Sequence, residues 1–563
     1  MTMTGKEAAM PMKLPRHRLR AAALAALLVA ATGCSSAGGQ VDAGDASNRS
    51  RSAITVSIYD RGTIPSSEGT IANNKITQWI NDAGPVDVRF VPIPRTRSEE
   101  TMSVLFASDE APDLILEYAP QMKYTWMDQQ LLRPLDDMIE RYSTTYKELL
   151  RQFPELRIAG TGADGKLYQL GRINETIPQR GMFIRKDWLD KLNLPVPKTT
   201  EELYEAARAF TLQDPDGNGI DDTYGIAMSY NSGEALDEMF GVTYPDYVLQ
   251  DGELVHGWDH IEAVTAFKKR LYAEGLTDPY YYTDKNGTRA KWEFITGKVG
   301  IMLEQFNVPM MFYTEFYEPL KRHVPDAELA VMPYPSTPVG SFNPIFVNPV
   351  QMTAVVNARA GDPEAVMAYV DFAASPAFMK TMYYGFEGVH SETKPDACPR
   401  MTDLAKWRTE FNYGSGDFAM LASPILSGSC HFGAEKLDVR DPDQLRVKEL
   451  FELNSSYVDF DLPVAGPTHS EHMPQPPKEL QEILKQTVKR TSARDGDIWT
   501  KAVLTPSYSA AEAKADAIAA WEKAGGRRVD EWYRNFYANE RHRIILTEDI
   551  YRIFKQQRAM SKQ

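Results

Sequence analysis

The sequence predicts an α/β fold divided between two lobes, and three observations predict it. Apolar residues alternate with a period of two at Ile54, Val56 and Ile58 and again at Val86, Val88 and Phe90, and a third apolar run, PDLILEY, follows at 112–118. Helix-length segments separate these runs, carrying Ile71, Ile76, Trp79 and Ile80 and then Met102, Leu105 and Phe106. Strand, helix, strand, helix, strand reads as a parallel sheet joined by right-handed crossovers. The third observation is length: the roughly 500 residues after Ile54 exceed what one hydrophobic core supports.

Ahead of the fold, Lys13, Arg16, Arg18 and Arg20 precede the uncharged run Ala21 to Thr32, AAALAALLVAAT. That run is too short for the ~20 residues a bilayer span needs and suits the apolar centre of a secretory leader. It ends in Ala31-Thr32-Gly33-Cys34, small residues before a cysteine in the manner of a lipobox, with Ala31 where Leu is commoner. Residues 1–33 are therefore expected to be removed as a signal peptide and Cys34 to be acylated, palmitate being one such chain. At about 0.8 kcal/mol per buried methylene, two or three chains anchor a protein without a membrane helix. A simple signal peptide cut near Cys34 and a short membrane helix are the alternatives. Residues 34–53, small and polar, read as a flexible tether.

The chain carries 62 Lys and Arg against 77 Asp and Glu, formally −15, and removal of the leader makes it more acidic. So acidic a surface argues against nucleic acid as a partner. With Cys34 lipidated, Cys398 and Cys430 remain, and their spacing leaves a disulfide and two free thiols equally open.

A second set of elements opens at MFIRKDWL, 182–189, with Trp188 read as helix packing. Pro197, Thr199 and Glu202 mark a helix start with capping-box spacing, and Leu203, Ala206, Ala207 and Phe210 recur on one helical face. Further helices are predicted to begin at Asp362-Pro363 and Ser375-Pro376.

Gly160-Thr-Gly162-Ala-Asp-Gly165-Lys166-Leu167 satisfies GxGxxG. A phosphate loop needs a strand before it, a helix after it and Ser or Thr behind the lysine. Here Leu167 follows and KLYQL alternates like a strand, so Asp164-Gly165 is read as a hairpin turn. HExxH and GxSxG are both missing, and His469-Ser-Glu-His472 lacks the spacing that puts two imidazoles on one helical face. Paired carboxylates placed by the fold remain open, but no enzyme signature is present and a non-enzyme is expected.

Asp214-Pro-Asp216-Gly-Asn218-Gly-Ile220-Asp221-Asp222 is the most specific local signal. Oxygen side chains stand at places one, three, five and nine, and Ile220 offers its carbonyl at seven, the spacing of an EF-hand-like calcium loop. The acid at place twelve is replaced by Gly225. A metal-free acidic turn is the alternative; the predicted cofactor is a structural Ca2+.

The lipobox, then RKDWLDKLNLPVPKTTEELYEAARAF followed by DPDGNGIDDTYGI, then FITGKVGIM, and finally YYGFEGVH occur in that order. Together they resemble the family 1 extracellular solute-binding lipoproteins of bacterial ABC importers, of the type that binds sugars and oligosaccharides and includes alginate-oligosaccharide-binding proteins. The likeness runs to the C-terminal WEKAGGRRVDEWYRNFYANE. It implies a periplasmic-binding-protein-like fold of type II, with a hinge and an interlobe cleft. One lobe is expected at 54–172 plus 335–382, the other at 173–334 plus 383–545, with a C-terminal extension at 546–563. The family's calcium loop falls on Asp214, Asp216, Asn218, the Ile220 carbonyl and Asp222, with Thr223 where relatives often have an acid. The implied partners are a sugar ligand, permease subunits and, through the lipid on Cys34, the membrane of an extracytoplasmic, anchored monomer. A membrane-anchored glycosidase and a ligand sensor are the competing readings.

In open α/β sheets the ligand crevice lies beyond the carboxyl ends of strands. That rule selects Tyr59 and Asp60, then Glu117 and Tyr118, then Gln305 and Phe306. Trp126 lies near the third strand end, Trp292 opens the FITGKVGIM segment, and Glu387 and His390 share the YGFEGVH loop. Flat aromatics and stiff polar groups are what sugar faces and hydroxyls require. Arg172 and Arg180 are a candidate pair for an acidic sugar.

Overall fold

The computed structural model describes residues 51–560 apart from 394–397, 428–436, 468–471 and 495. The first predicted strands form as β1 (Ala53–Asp60), β2 (Asp87–Pro94) and β3 (Leu114–Leu116), and β1 runs parallel to both others. The sheet is completed by β4 (Gln169–Ile173) and, from far along the chain, β11 (Val350–Val356), in the order β2-β1-β3-β11-β4. β11 is antiparallel to β3 and β4, so all five strands bring their Asp60, Pro94, Leu116, Ile173 and Val350 ends to one edge.

The second sheet has the order β10-β5-β9-β6, from β5 (Arg180–Arg185), β6 (Tyr224–Ile226), β9 (Val299–Gln305) and β10 (Leu329–Met332). β7 (Tyr247–Gln250) and β8 (Glu253–His256) make a separate hairpin. Side chains alternate across the second sheet, as the pleat requires. Met182 and Ile184 enter one core and Phe183 the other; Ile301 and Leu303 enter the first and Met302 the second. Trp188 is buried edge-on against Phe210, 5.3 Å between centroids, in the packing role predicted for it.

The chain passes from the first sheet to the second at 174–179 and back at 333–349. It crosses a third time between Ser427 and the helix Pro442–Ser456, whose Val447, Leu450 and Phe451 join the second-sheet core. These crossings place the lobe boundary differently from expectation. Tyr384, Trp407, Phe411, Phe418 and Leu421 lie in the core of the first sheet, so the segment from 383 to 426, expected in the second lobe, belongs to the first. The segment 546–563, expected as an extension, begins with the helix Thr547–Met560, which buries Ile553 in that same core. The C-terminal helices before it pack Trp521, Tyr533 and Tyr537 on Tyr247 and Leu254 of the hairpin.

Local signals behaved as chemistry dictates. Thr199 caps the helix Thr200–Leu212, its hydroxyl accepting from the Glu202 N–H at 3.1 Å, but the Glu202 carboxylate turns to the Lys198 N–H at 2.7 Å instead of closing the box. Asp362 and Ser375 cap their predicted helices. The Gly162–Lys166 turn is a hairpin, with the Gly162 N–H on the Lys166 carbonyl at 2.8 Å and Thr161 bridged antiparallel to Leu167, so no phosphate loop exists there. Cys398 is disulfide-bonded, which settles its open state; Cys430 and Cys34 lie outside the described residues. Among the described residues no helix is long and apolar enough to cross a membrane.

Candidate ligand-binding cleft

The carboxyl edge of the first sheet is built from fixed polar groups. Tyr59, at the end of β1, is buried and its hydroxyl donates to Glu117 Oε1, which also accepts the Ala119 N–H at 2.7 Å. Burial first, then the Glu117 charge, pushes the Tyr59 hydroxyl far above its ordinary range, so it stays a neutral donor. Its ring stacks on Tyr118 with centroids 5.9 Å apart, and the Arg95 guanidinium lies over it at 4.7 Å. Arg61 follows β1 and grips Asp417 with two hydrogen bonds of 2.6 and 2.9 Å. Beneath this edge the buried Lys123 donates to the carbonyls of Glu117 and Met352 at 2.8 Å each and of Tyr118 at 3.2 Å, tying β3 to β11. A buried ammonium needs several oxygens to replace water, and it finds them in the two strands that frame the site.

Directly after Tyr118 the helix Pro120–Asp128 begins, and its period sorts its residues. Met122, Lys123 and Trp126 face the core, whereas Gln121, Tyr124, Thr125 and Asp128 line a cavity of about 870 Å³. The opposite wall is the helix Arg527–Glu540, which contributes Trp532, Asn535, Phe536 and Asn539. Trp532 and Phe536 are half-buried with centroids 5.3 Å apart. His472 reaches the cavity too, its Nε2 2.8 Å from Oδ1 of Asn348 in the second crossing. Aromatic faces and amide, hydroxyl and imidazole groups thus face one space from the first lobe and from the C-terminal helices.

Half of the predicted contacts stand at strand edges and half do not. Tyr59, Asp60, Glu117 and Tyr118 sit at the first edge, Asp60 Oδ1 accepting the Gly62 N–H at 2.9 Å. Gln305 ends β9 opposite Arg180 in the register. Trp126 is core, tilted on Phe106 at 5.3 Å, and Phe306 is core, edge-on to Phe183 and Phe312. His390 is wholly buried against Phe386 and Phe411, and its Nδ1 accepts the Phe386 N–H at 3.1 Å. Burial lowers its pKa, so it is a neutral packing residue and not a ligand contact. Glu387 is exposed and held by Lys380 at 2.9 Å and the Thr393 N–H at 2.6 Å. Trp292 is 58% exposed against His323, on the helix Thr288–Ile295 that feeds the amino end of β9, the edge away from the hinge. Arg172 and Arg180 do not pair on a common anion: Arg172 holds Gln351 at 2.8 Å and Arg180 holds Glu234 at 2.6 Å and Glu238. None of the ten predicted contacts lines the 870 Å³ cavity; Tyr124 and Trp532, which do, are groups that strand-end reasoning passed over.

The acidic loop lies at the amino end of β6, also away from the hinge. Gly217 and Gly219 take left-handed φ values of 75° and 77°, and the loop curls so that Asp214 Oδ1 accepts the Gly217 and Asn218 N–H groups at 3.0 and 3.1 Å. The Asn218 amide donates to Asp216 at 2.7 Å and Asp222 at 3.4 Å, and Lys298 pairs with Asp222 at 2.6 Å. Burial first, then the Asp214 carboxylate, raises Asp216 above its ordinary pKa. Among the described residues no three His, Cys, Asp or Glu side chains are arranged to hold a metal as they stand. The residue types nevertheless suit calcium, since the Asn218 NH2 now sits between the Asp216 and Asp222 carboxylates and the oxygen of the same amide is the alternative group. The absence of an acid at place twelve is steric: a Cβ on Gly225 would stand 2.1 Å from the Ala207 carbonyl oxygen.

Residues 67–380 match the family described as bacterial extracellular solute-binding protein. The chain is 26% identical over 403 residues to the Polygalacturonan/rhamnogalacturonan-binding protein YtcQ of Bacillus subtilis, covering 66% of this chain and 70% of that one. It is 32% identical over 172 residues to the fructooligosaccharide ABC transporter substrate-binding protein FusA of Streptococcus pneumoniae, covering 27% and 32%. Its fold matches an extracellular solute-binding protein from Bifidobacterium longum subsp. infantis with a TM-score of 0.68 at 16% identity, over 87% of this chain and 98% of the other. The alginate-binding protein AlgQ2 gives 0.62 at 17% identity, over 86% and 98%. The two-lobed binding-protein fold is thereby shared across nearly the whole described chain.

Proposed function

Because the chain belongs to the bacterial extracellular solute-binding proteins, we propose that it captures a sugar or oligosaccharide between its lobes and hands it, chemically unchanged, to an ABC importer. The observation that carries this reading is the 870 Å³ cavity walled by Tyr124, Trp532 and Phe536 and by the amides of Gln121, Asn535 and Asn539. Stacking faces match the C–H faces of pyranose rings and amides match hydroxyl rims. The names of two relatives, a polygalacturonan/rhamnogalacturonan-binding protein and a fructooligosaccharide ABC transporter substrate-binding protein, point the same way.

Contacts made by both walls exist only when the lobes approach, so ligand shifts the population toward the closed form. A micromolar Kd, about −8 kcal/mol, suffices for capture and still permits release. Cys34 carries the lipid that keeps the protein at the outer face of the cell membrane, and the Asp214–Asp222 loop holds a structural calcium ion through Asp214, Asp216, Asn218, the Ile220 carbonyl and Asp222.

Titration calorimetry against pectin-derived, fructan, alginate and maltose oligomers, with chromatography of each sugar afterwards, tests the reading. Heat with one class and every sugar recovered intact is the expected result, and Trp532→Ala should weaken binding by about 1–3 kcal/mol. Products in the eluate would replace the carrier with a glycosidase. The intact mass of membrane-extracted protein reads the acyl chains on Cys34 in the same preparation.

A further inference from the structure

The C-terminal helix Thr547–Met560 is anchored in both lobes. At its start Leu546 is buried among the C-terminal helices, and further on Ile553 is fully buried in the first-lobe core. Arg552 pairs at 2.5 Å with Glu155, a carboxylate only 2% exposed on the first lobe, and Arg558 donates to the Ser455 carbonyl at 3.3 Å on the helix that packs into the second sheet.

Between these anchors the helix holds both of the first two crossings. The Asn343 amide donates to the Tyr551 hydroxyl at 2.5 Å, which donates on to the Leu462 carbonyl at 2.6 Å. Gln557, 6% exposed, accepts the Thr176 N–H at 2.6 Å and donates to the Asn174 carbonyl at 2.9 Å. Asn174 and Thr176 open the short segment between β4 and β5, and such segments absorb the φ and ψ changes of domain closure. A side-chain amide carries both a donor and an acceptor, so one neutral side chain satisfies an N–H and a C=O two residues apart in a buried place.

We infer that Gln557 is a positioning residue for ligand capture, setting the angle between the lobes through its two hydrogen bonds to the first hinge segment. The inference rests on the capture reading for its role, and on the hinge geometry alone for its physics. Removing the amide leaves a buried N–H and a buried C=O without partners, so the segment finds other conformers to satisfy them. The fraction of molecules with lobes at the competent angle falls, and apparent affinity falls with that fraction.

Two variants test this in the full chain. Gln557→Met keeps the volume and loses both bonds; Gln557→Glu keeps the acceptor for Thr176 and loses the donor to Asn174. The readouts are the interlobe distance distribution from a pair of fluorophores without ligand, and calorimetric affinity for trigalacturonate and, as a neutral probe, maltotriose. The expected result is a broadened distribution and about tenfold weaker binding for Gln557→Met and at least as large a loss for Gln557→Glu, whose buried carboxylate faces the Asn174 carbonyl, with a lowered Tm but a folded chain at the assay temperature for both. An unchanged distribution, or an affinity loss that vanishes on cooling in step with refolding, would overturn the inference. If Gln557→Met does not fold, Gln557→Glu decides it alone. If the wild type binds neither sugar, the capture reading is in question while the distance distribution still judges the hinge.

Discussion

Asp246 is a carboxylate in a place that disfavours its charge. It lies buried at a left-handed φ of 73°, its Oδ2 accepts the Ala493 N–H at 3.1 Å, and although that bond and the Ser492 side chain favour the charge, burial first and then Asp237 push it up to about 7. A raised folded pKa means the group favours folding fully below its unfolded value near 3.9 and loses that contribution as pH climbs through about 7. Asn keeps the left-handed conformation and the acceptor without the charge. Asp246→Asn should therefore gain on the order of 1–4 kcal/mol at pH 8.5 and close to nothing at pH 4, read by urea unfolding at both; an equal effect at the two pH values would rule the charge out as cause. The same residue-level physics explains what strand ends can and cannot select. They lead to Tyr59, Glu117 and Gln305, none of which lines the cavity, and a strand end carries neighbours on opposite faces, so only packing shows that Phe306 turns inward beside Gln305. In the helix Pro120–Asp128 the aromatic that lines the cavity is Tyr124, two positions before the core-facing Trp126, a distinction of helical phase that a residue list cannot make.

At the scale of elements, the loop Asp214–Asp222 joins the helix Thr200–Leu212 to β6, and a cation there would fasten the two. Ca2+ at about 100 times its Kd should add about 2.7 kcal/mol of stability, seen as a raised Tm that a chelator reverses and that Asp216→Asn abolishes. An unchanged Tm in millimolar Ca2+ would leave the loop an acidic turn held by Lys298. Restoring the acid at place twelve is expected to fail, for a reason found in the neighbouring helix. Gly225 passes so close to Ala207 that Gly225→Asp must displace backbone, costing more than about 2 kcal/mol without tightening Ca2+. Elements were legible in the sequence where local chemistry fixes them. Thr199, Asp362 and Ser375 cap where their side chains can reach the first free N–H groups, and the Asp164-Gly165 turn closes a hairpin. The helix pair facing the cleft was not legible, because Tyr124 and Trp532 are about 400 residues apart and no periodicity links them.

The whole molecule is organised by chain crossings and not by sequence order. Alternation and length suffice to predict two α/β lobes, yet hydrophobic periodicity says only that a face is buried, never against which core. Tyr384 and Trp407 could have packed in either lobe; they fill the first because β11 delivers the following helices to that sheet. The C-terminal helix looked like an appendage for the same reason, although its Ile553 completes a core begun 500 residues earlier at Ile54. A first lobe assembled from the chain's beginning, its middle and its end cannot unfold without releasing the hinge and the C-terminal helix that also hold the second. Unfolding is accordingly expected as one calorimetric transition and not two, and ligand at about 100 times its Kd should shift that whole transition by about 2.7 kcal/mol. Differential scanning calorimetry with and without the sugar found by titration measures it. Two resolved transitions of which ligand moves only one would show that the lobes are energetically separate and that the cargo is held by one of them, because a ligand gripped by both walls must stabilise both.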